Sequence, residues 1–158
     1  MPDVDKPLCV RELRIQYAAL PGVQLPAGAL TTPKACAAIF SQLLEEEACE
    51  VFMIACLTAR LKLIAVHTVS RGDLNTTLVH PREVFKAALL ANAASIVTAH
   101  NHPSGDHAPS PEDQSLWTRL NDAGILLGVP CLDHLVIGAG GRYHSEIERK
   151  QATAKEQT

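Results

Sequence analysis

The stretch SIVTAHNHPSGDHAPSPEDQSLWTRL, residues 95–120, decides the fold. Ser95 to Ala99 form a short, largely apolar run that suits a buried strand. The run passes directly into His100-Asn101-His102-Pro103 and a loop rich in proline and glycine. Ser110-Pro111-Glu112-Asp113 then reads as a helix start, with a capping serine, proline at the first helical position and acid in the first turn. Leu116, Trp117 and Leu120 recur at helical spacing, and the helix is expected to end near Gly124. A strand, a histidine-bearing loop and a helix therefore follow one another within a few turns of chain.

Working outward gives further elements. A helix starts after Thr31 or Thr32, with Pro33 first and Cys36, Ile39, Phe40, Leu43 and Leu44 on its apolar face. The run Glu45-Glu46-Glu47 reads as solvated surface. Glu50 opens VFMIACL, a buried strand, and Thr58-Ala59-Arg60 turns into LKLIAVHTV, a second strand antiparallel to the first. The loop SRGDLNTT and a short extended Leu78-Val79-His80 lead to Pro81, which starts a helix carrying Val84, Phe85, Ala88 and Leu89 on one face. CLDHLVIG is another strand, Gly140-Gly141 a hairpin turn, and Arg142 to Ser145 the last strand. Strands and helices interleave, yet several neighbouring strands are joined by short turns. The fold class is α/β, a mixed sheet sandwiched by helices rather than a doubly wound parallel sheet. Residues 1–30 read as a polar arm with one helical stretch around Arg11 to Leu20, residues 31–146 as the domain, and residues 147–158 as a flexible polar tail.

Composition narrows the class. The 158 residues are enough for one domain, and 47% apolar with 20% charged residues excludes general disorder. No apolar run approaches the roughly 18 residues of a membrane span, and no signal core stands at the N-terminus. The net charge of -3 argues against a nonspecific nucleic-acid binder, which usually carries basic excess. Five cysteines, Cys9, Cys36, Cys49, Cys56 and Cys131, form no CxxC pair and sit mostly in apolar stretches. They read as reduced core thiols of a cytoplasmic protein and not as a four-cysteine zinc site.

The chemistry lies in the histidine loop. Alternate residues of an extended chain point the same way, so His100 and His102 aim both imidazoles at one point. Ten residues separate His102 from Asp113, enough for the chain to fold back and bring the carboxylate there. Two neutral imidazoles and one carboxylate suit Zn²⁺, and three protein ligands leave a fourth position for water, the pattern of a catalytic site. Such a site needs a carboxylate to take a proton from water. Glu50 is the candidate, because a charged residue at the mouth of a buried strand is costly unless it is exposed or paired; Glu45, Glu46, Glu47, Glu83 and Glu112 are also available by spacing. Ser110 has two readings, a donor to a developing oxyanion or a helix cap with Asp113 as its partner in a capping box. Taken alone, the cap is the better reading. His107 reads as solvent-facing rather than as a further ligand, and His67, His80 and His144 as structural or exposed. Asp133 and His134 read as a satisfied buried pair. The tripeptide His-Asn-His does not make an HNH nuclease, which needs a longer unit and a basic surface.

These residues also carry a resemblance. His100-Asn101-His102-Pro103-Ser104-Gly105-Asp106, then Pro109-Ser110 and Asp113, resembles the JAMM (MPN+) motif in the form typical of RadC-like proteins. His80-Pro81-Arg82-Glu83-Val84, Asn92-Ala93-Ala94 and Leu132 to Gly138 are similar to segments of the same family, so the likeness runs over about residues 31–145. It implies a cytidine-deaminase-like sandwich, the JAB1/MPN fold. It implies zinc on His100, His102 and Asp113, Ser110 as the oxyanion-stabilising serine, and Glu50 as the glutamate that activates water. It implies hydrolysis of a peptide or isopeptide bond in a protein or peptide substrate. Two departures stand out: the first 30 residues cannot supply the helix-hairpin-helix region of full-length RadC proteins, and Gly72-Asp73-Leu74 stands where the family often has Gly-Thr-Leu. The first weakens any DNA-related role. The competing expectation is a non-enzymatic, metal-stabilised interaction module, or an accessory protein of DNA repair or of a mobile element. Short RadC-like proteins of this kind point to a bacterial source.

Overall fold

The computed structural model describes residues 16–24, 28–72 and 79–156. Its elements in chain order are α1 (Pro33–Leu44), β1 (Val51–Leu57), β2 (Leu63–Arg71), α2 (Pro81–Leu90), β3 (Ser95–Asn101), α3 (Pro111–Leu127), β4 (Cys131–Ile137), β5 (Tyr143–Ser145) and α4 (Glu146–Glu156). The five strands form one mixed sheet in the order β2-β1-β3-β4-β5. Only β3 and β4 run parallel, and α3 makes the crossover between them; every other neighbouring pair is antiparallel.

Period-two alternation along β1 sorts its side chains to the two faces of the sheet. Val51, Met53, Ala55 and Leu57 join Cys36, Ile39, Phe40 and Leu44 of α1 in one core. Phe52, Ile54 and Cys56 join Val84, Phe85 and Ala88 of α2 and Leu116 and Leu120 of α3 in the other. Both faces of β1 and β3 are therefore covered, which is why the two strands read as unbroken apolar runs rather than alternating ones. Burial raises the thiols of Cys36 and Cys56 to about 11 and that of Cys131 to about 12, so these sulfurs are inert at neutral pH. Among the described residues, no helix is long and apolar enough to cross a membrane.

Four expectations change. α3 runs three residues past Gly124, to Leu127, and stops at Gly128 (φ 69°). There the Val129 amide donates to the Gly124 carbonyl at 2.9 Å and the Gly128 amide to the Ile125 carbonyl at 3.3 Å, a Schellman closure. Residues 146–156, most of the expected frayed tail, form α4. Its first turn is capped by Ser145 Oγ, which accepts from the Glu148 amide at 3.1 Å, and Glu146 pairs with Arg149 at 2.6 Å and Lys150 at 3.5 Å. Asp133 and His134 do not pair side chain to side chain, because adjacent strand residues point to opposite faces. Asp133 accepts from Ser145 Oγ at 2.6 Å and from the Ile147 amide at 3.0 Å, anchoring α4, while the His134 ring meets Thr98 Oγ1 at 2.6 Å and Asn121 Oδ1 at 3.2 Å. Residues 16–20 are not helical; the rest of the stretch read as a helix around Arg11 to Leu20, and most of the loop after Gly72, lie outside the described residues.

Candidate metal centre

His100 is buried at the end of β3, where Phe52 faces it across β1. The two rings stack at 6.1 Å with an interplanar angle of 11°. His102 lies two residues on and half-buried, and its Nε2 faces His100 Nε2 at 3.1 Å. Asp113 occupies the third position of α3 and is 5% exposed at its side chain, with Oδ1 at 3.1 Å from His100 Nε2 and Oδ2 at 3.6 Å from His102 Nε2. Glu50 precedes β1 by one residue, and its Oε1 is 3.9 Å from Nε2 of both histidines. Among the described residues these four form the one group of three or more such side chains placed to hold a metal ion, with their donor atoms within 4.8 Å of one another.

The spacing tests whether a metal fits. Tetrahedral zinc with bonds near 2.0–2.1 Å requires its donors to stand about 3.3 Å apart. His100 Nε2 stands 3.1 Å from both His102 Nε2 and Asp113 Oδ1, near that edge length, and Asp113 meets His102 Nε2 through its other oxygen, Oδ2, at 3.6 Å. Glu50 stands further off, at 3.9 Å from each ring nitrogen. All four residues keep one donor atom within 4.8 Å of the others, and Glu50 stands furthest from the two ring nitrogens.

The electrostatics agree with the geometry. Burial works to raise the Asp113 carboxyl, yet its contacts with His100, His102 and Ser110 outweigh that and hold it well below the usual carboxylate range. The bond to Asp113 raises His102, against desolvation.

Ser110 caps α3, and the capping box is complete. The Asp113 amide donates to Ser110 Oγ at 3.1 Å, and the Ser110 amide and hydroxyl both donate to Asp113 Oδ2 at 2.7 Å. Cap and ligand are compatible, since Oδ2 serves the box while Oδ1 faces His100. His107 stays out of the cluster, with its Nδ1 at 3.9 Å from Asp106. Glu45 and Glu47, expected as solvated surface, have partners. Glu45 accepts from the Gly140 and Gly141 amides at 2.7 and 3.3 Å, and Glu47 forms a two-pronged pair with Arg71. Asn101, which lies between the histidines and is buried, has no role in the sequence reading; alternation along β3, which sends it to the other face, is the available signal.

The family model of the RadC-like JAB domain matches residues 30–151. The chain belongs to the RadC-like JAB domain family. Its mixed sheet between helices is that of the JAB/MPN fold. Similar RadC-family relatives are UPF0758 proteins. One from Caldanaerobacter subterraneus subsp. tengcongensis is 53% identical over 91 residues, 58% of this chain and 39% of that protein. One from Methanosarcina barkeri is 41% identical over 123 residues, 78% of this chain and 53% of that protein. One from Symbiobacterium thermophilum is 50% identical over 100 residues, covering 63% and 42%. The chain matches about half the length of these RadC-family relatives or less.

Proposed function

We propose that this RadC-like domain is a zinc-dependent hydrolase of JAMM type that cleaves a peptide or isopeptide bond in a protein or peptide substrate. The observation that carries the reading is the convergence of two imidazoles and one buried carboxylate, with His100 Nε2 at 3.1 Å from His102 Nε2 and from Asp113 Oδ1, and a second carboxylate, Glu50, at 3.9 Å from both rings. His100, His102 and Asp113 are the residues to hold zinc, which supplies Lewis acidity that brings the pKa of water to about 7 and polarises a carbonyl. Glu50 is the base that takes the proton of the attacking water and afterwards delivers it to the leaving nitrogen. Phe52, stacked on His100, excludes water from the inner side of that ring and fixes its orientation. Ser110 is assigned to the developing oxyanion. Its hydroxyl now donates to Asp113 Oδ2, so it must turn toward substrate while the Ser110 amide keeps that oxygen paired.

The test is Glu50→Gln. The variant retains about one zinc per chain and loses turnover on the order of 10²- to 10⁴-fold. Turnover is read as new amino termini released from a mixed peptide library and, in cells, as proteins left uncleaved. Undiminished cleavage by the variant refutes the assignment of the base. The engagement of the Ser110 hydroxyl favours one competing reading, a closed metal site in a non-enzymatic interaction module. That reading makes Glu50 a fourth ligand and requires Glu50→Gln to weaken zinc binding itself.

A further inference from the structure

Asn101 sits between the two histidines, yet its side chain works on the far side of β3. Its Oδ1 accepts from the Val51 amide at 2.8 Å, and its Nδ2 donates to the Cys49 carbonyl at 3.0 Å and, more weakly, to the Glu47 carbonyl at 3.4 Å. The residue is 3% exposed. The bonds to Cys49 and Val51 fall immediately before and after Glu50. The Glu50 carbonyl is fixed separately, accepting from the Gly72 amide at 2.9 Å. The backbone around Glu50 is therefore held on both flanks by one planar amide that belongs to the strand bearing the histidines. Regular pairing of β3 with β1 ends at Phe52 and His100; beyond it, the Asn101 amide replaces a strand's main chain with its own donor and acceptor.

We propose that Asn101 is a positioning residue for Glu50, which sets the distance of the Glu50 carboxylate from the metal ligands. The inference rests on the reading of Glu50 as the base. The chemistry requires asparagine. Aspartate has the acceptor for Val51 but no donor for the Cys49 carbonyl, serine is too short to meet both, and alanine leaves buried main-chain groups without partners. His100 and His102 keep their own bonds, since neither touches the Asn101 amide, so the metal ligands are outside its direct reach.

The test compares wild type with Asn101→Asp, Asn101→Ala, Glu50→Gln and the double variant Asn101→Ala with Glu50→Gln, all loaded with cobalt(II) in place of zinc. Amide hydrogen exchange reads the clamp. At Val51 it rises about 10-fold or more in Asn101→Ala, which removes the acceptor, and less in Asn101→Asp, which keeps it, while Ile54 and Ala55 inside β1 keep wild-type protection. The pH midpoint of the cobalt visible absorption reads the carboxylate. It shifts by about half a unit or more in Glu50→Gln, shifts in the same direction in Asn101→Ala and Asn101→Asp, and shows no further shift in the double variant. Cobalt affinity stays within about threefold of wild type in every Asn101 variant. The proposal is overturned if the Asn101 variants leave the midpoint where it is, or if their shift persists undiminished in the Glu50→Gln background, which marks a general structural effect. A Glu50→Gln variant with the wild-type midpoint removes the base assignment first and this inference with it. Wholesale loss of protection across β1 in both variants also overturns it, because the amide is then a fold determinant and not a local clamp.

Discussion

The two oxygens of Asp113 face different partners, and this division governs what single substitutions do. Oδ1 lies at 3.1 Å from His100 Nε2, whereas Oδ2 receives both the amide and the hydroxyl of Ser110. Ser110→Ala removes the helix cap and one of the two donors to Oδ2. The cap is worth about 1 kcal/mol, so urea melts of the metal-free protein should show a loss near that size. The lost donor also loosens the ligand, and partners of this kind change metal affinity about 10- to 100-fold. Competition with a chelating dye should show zinc affinity reduced into that range, while Ser110→Thr stays close to wild type. Unchanged zinc affinity in Ser110→Ala, with the cap energy lost, shows that the amide alone orients Asp113. Asp113→Asn keeps the shape of the box but removes the charge that draws the cation. Elemental analysis should find its zinc content far below that of wild type, and equal loading refutes Asp113 as a ligand.

At the scale of elements, α3 matters because its first turn carries Asp113 and its last turns seat it against the sheet. Gly124 is the contact that permits this. A Cβ added there meets the Val129 carbonyl oxygen at 2.8 Å and Phe85 Cζ at 3.3 Å. The first of these cannot give way easily, because the Val129 amide is bonded to the Gly124 carbonyl. Helix propensity alone favours alanine over glycine by about 1 kcal/mol, while overpacking against a fixed backbone costs about 1–3 kcal/mol. Gly124→Ala is therefore expected to destabilise by about 1 kcal/mol, measured by urea unfolding, and a stabilised variant disproves the close approach. The same glycine shows where sequence reading stops. Helix starts were legible because Thr32, His80 and Ser110 each stand before a proline, and side-chain caps and Pro at the first position are local chemistry. The buried strands were legible from continuous apolar runs. Gly124 was read as an end because glycine after a periodic stretch usually is one, whereas here it serves a tertiary contact that no local pattern encodes. α4 was missed for the converse reason. It has almost no apolar face, and what holds it is Ser145 at the end of β5, Asp133 reaching across from β4, and its own ion pairs.

At the scale of the whole molecule, the sheet separates two packed cores and carries the candidate centre on one face, with His100 in the row of β3 that faces α3. Three of its four residues lie within 14 positions of sequence and were legible by spacing. Glu50 is 50 residues from His100, and only the register of β1 against β3 brings them together. Below the site on the same face lies His134, 2% exposed and stacked on Trp117 at 5.2 Å. Its Nε2 meets Asn121 Oδ1 and its Nδ1 the Thr98 hydroxyl, so the neutral ring is bonded at both nitrogens, and burial away from solvent disfavours the cation. Desolvation lowers its pKa from 6.5 to about 3, assisted by Lys150 and His100 and opposed by Glu146. The native state refuses a proton that the unfolded chain accepts below pH 6.5, so this residue's contribution is complete above that pH and falls away as the pH drops toward 3. Between pH 6.5 and 5 the loss is about 2 kcal/mol. Two groups act in the opposite sense, Asp133, raised by burial, and His102, raised by Asp113, since each favours the folded state as it gains its proton. Both are shared with a His134→Gln variant, so the difference between the two proteins isolates His134. Urea midpoints taken in EDTA, which keeps metal loss out of the comparison, should fall more steeply with acid in wild type than in His134→Gln. Parallel curves from pH 7.5 to 5 mean that the ring is protonated without cost and that its burial does not control the acid stability of the fold.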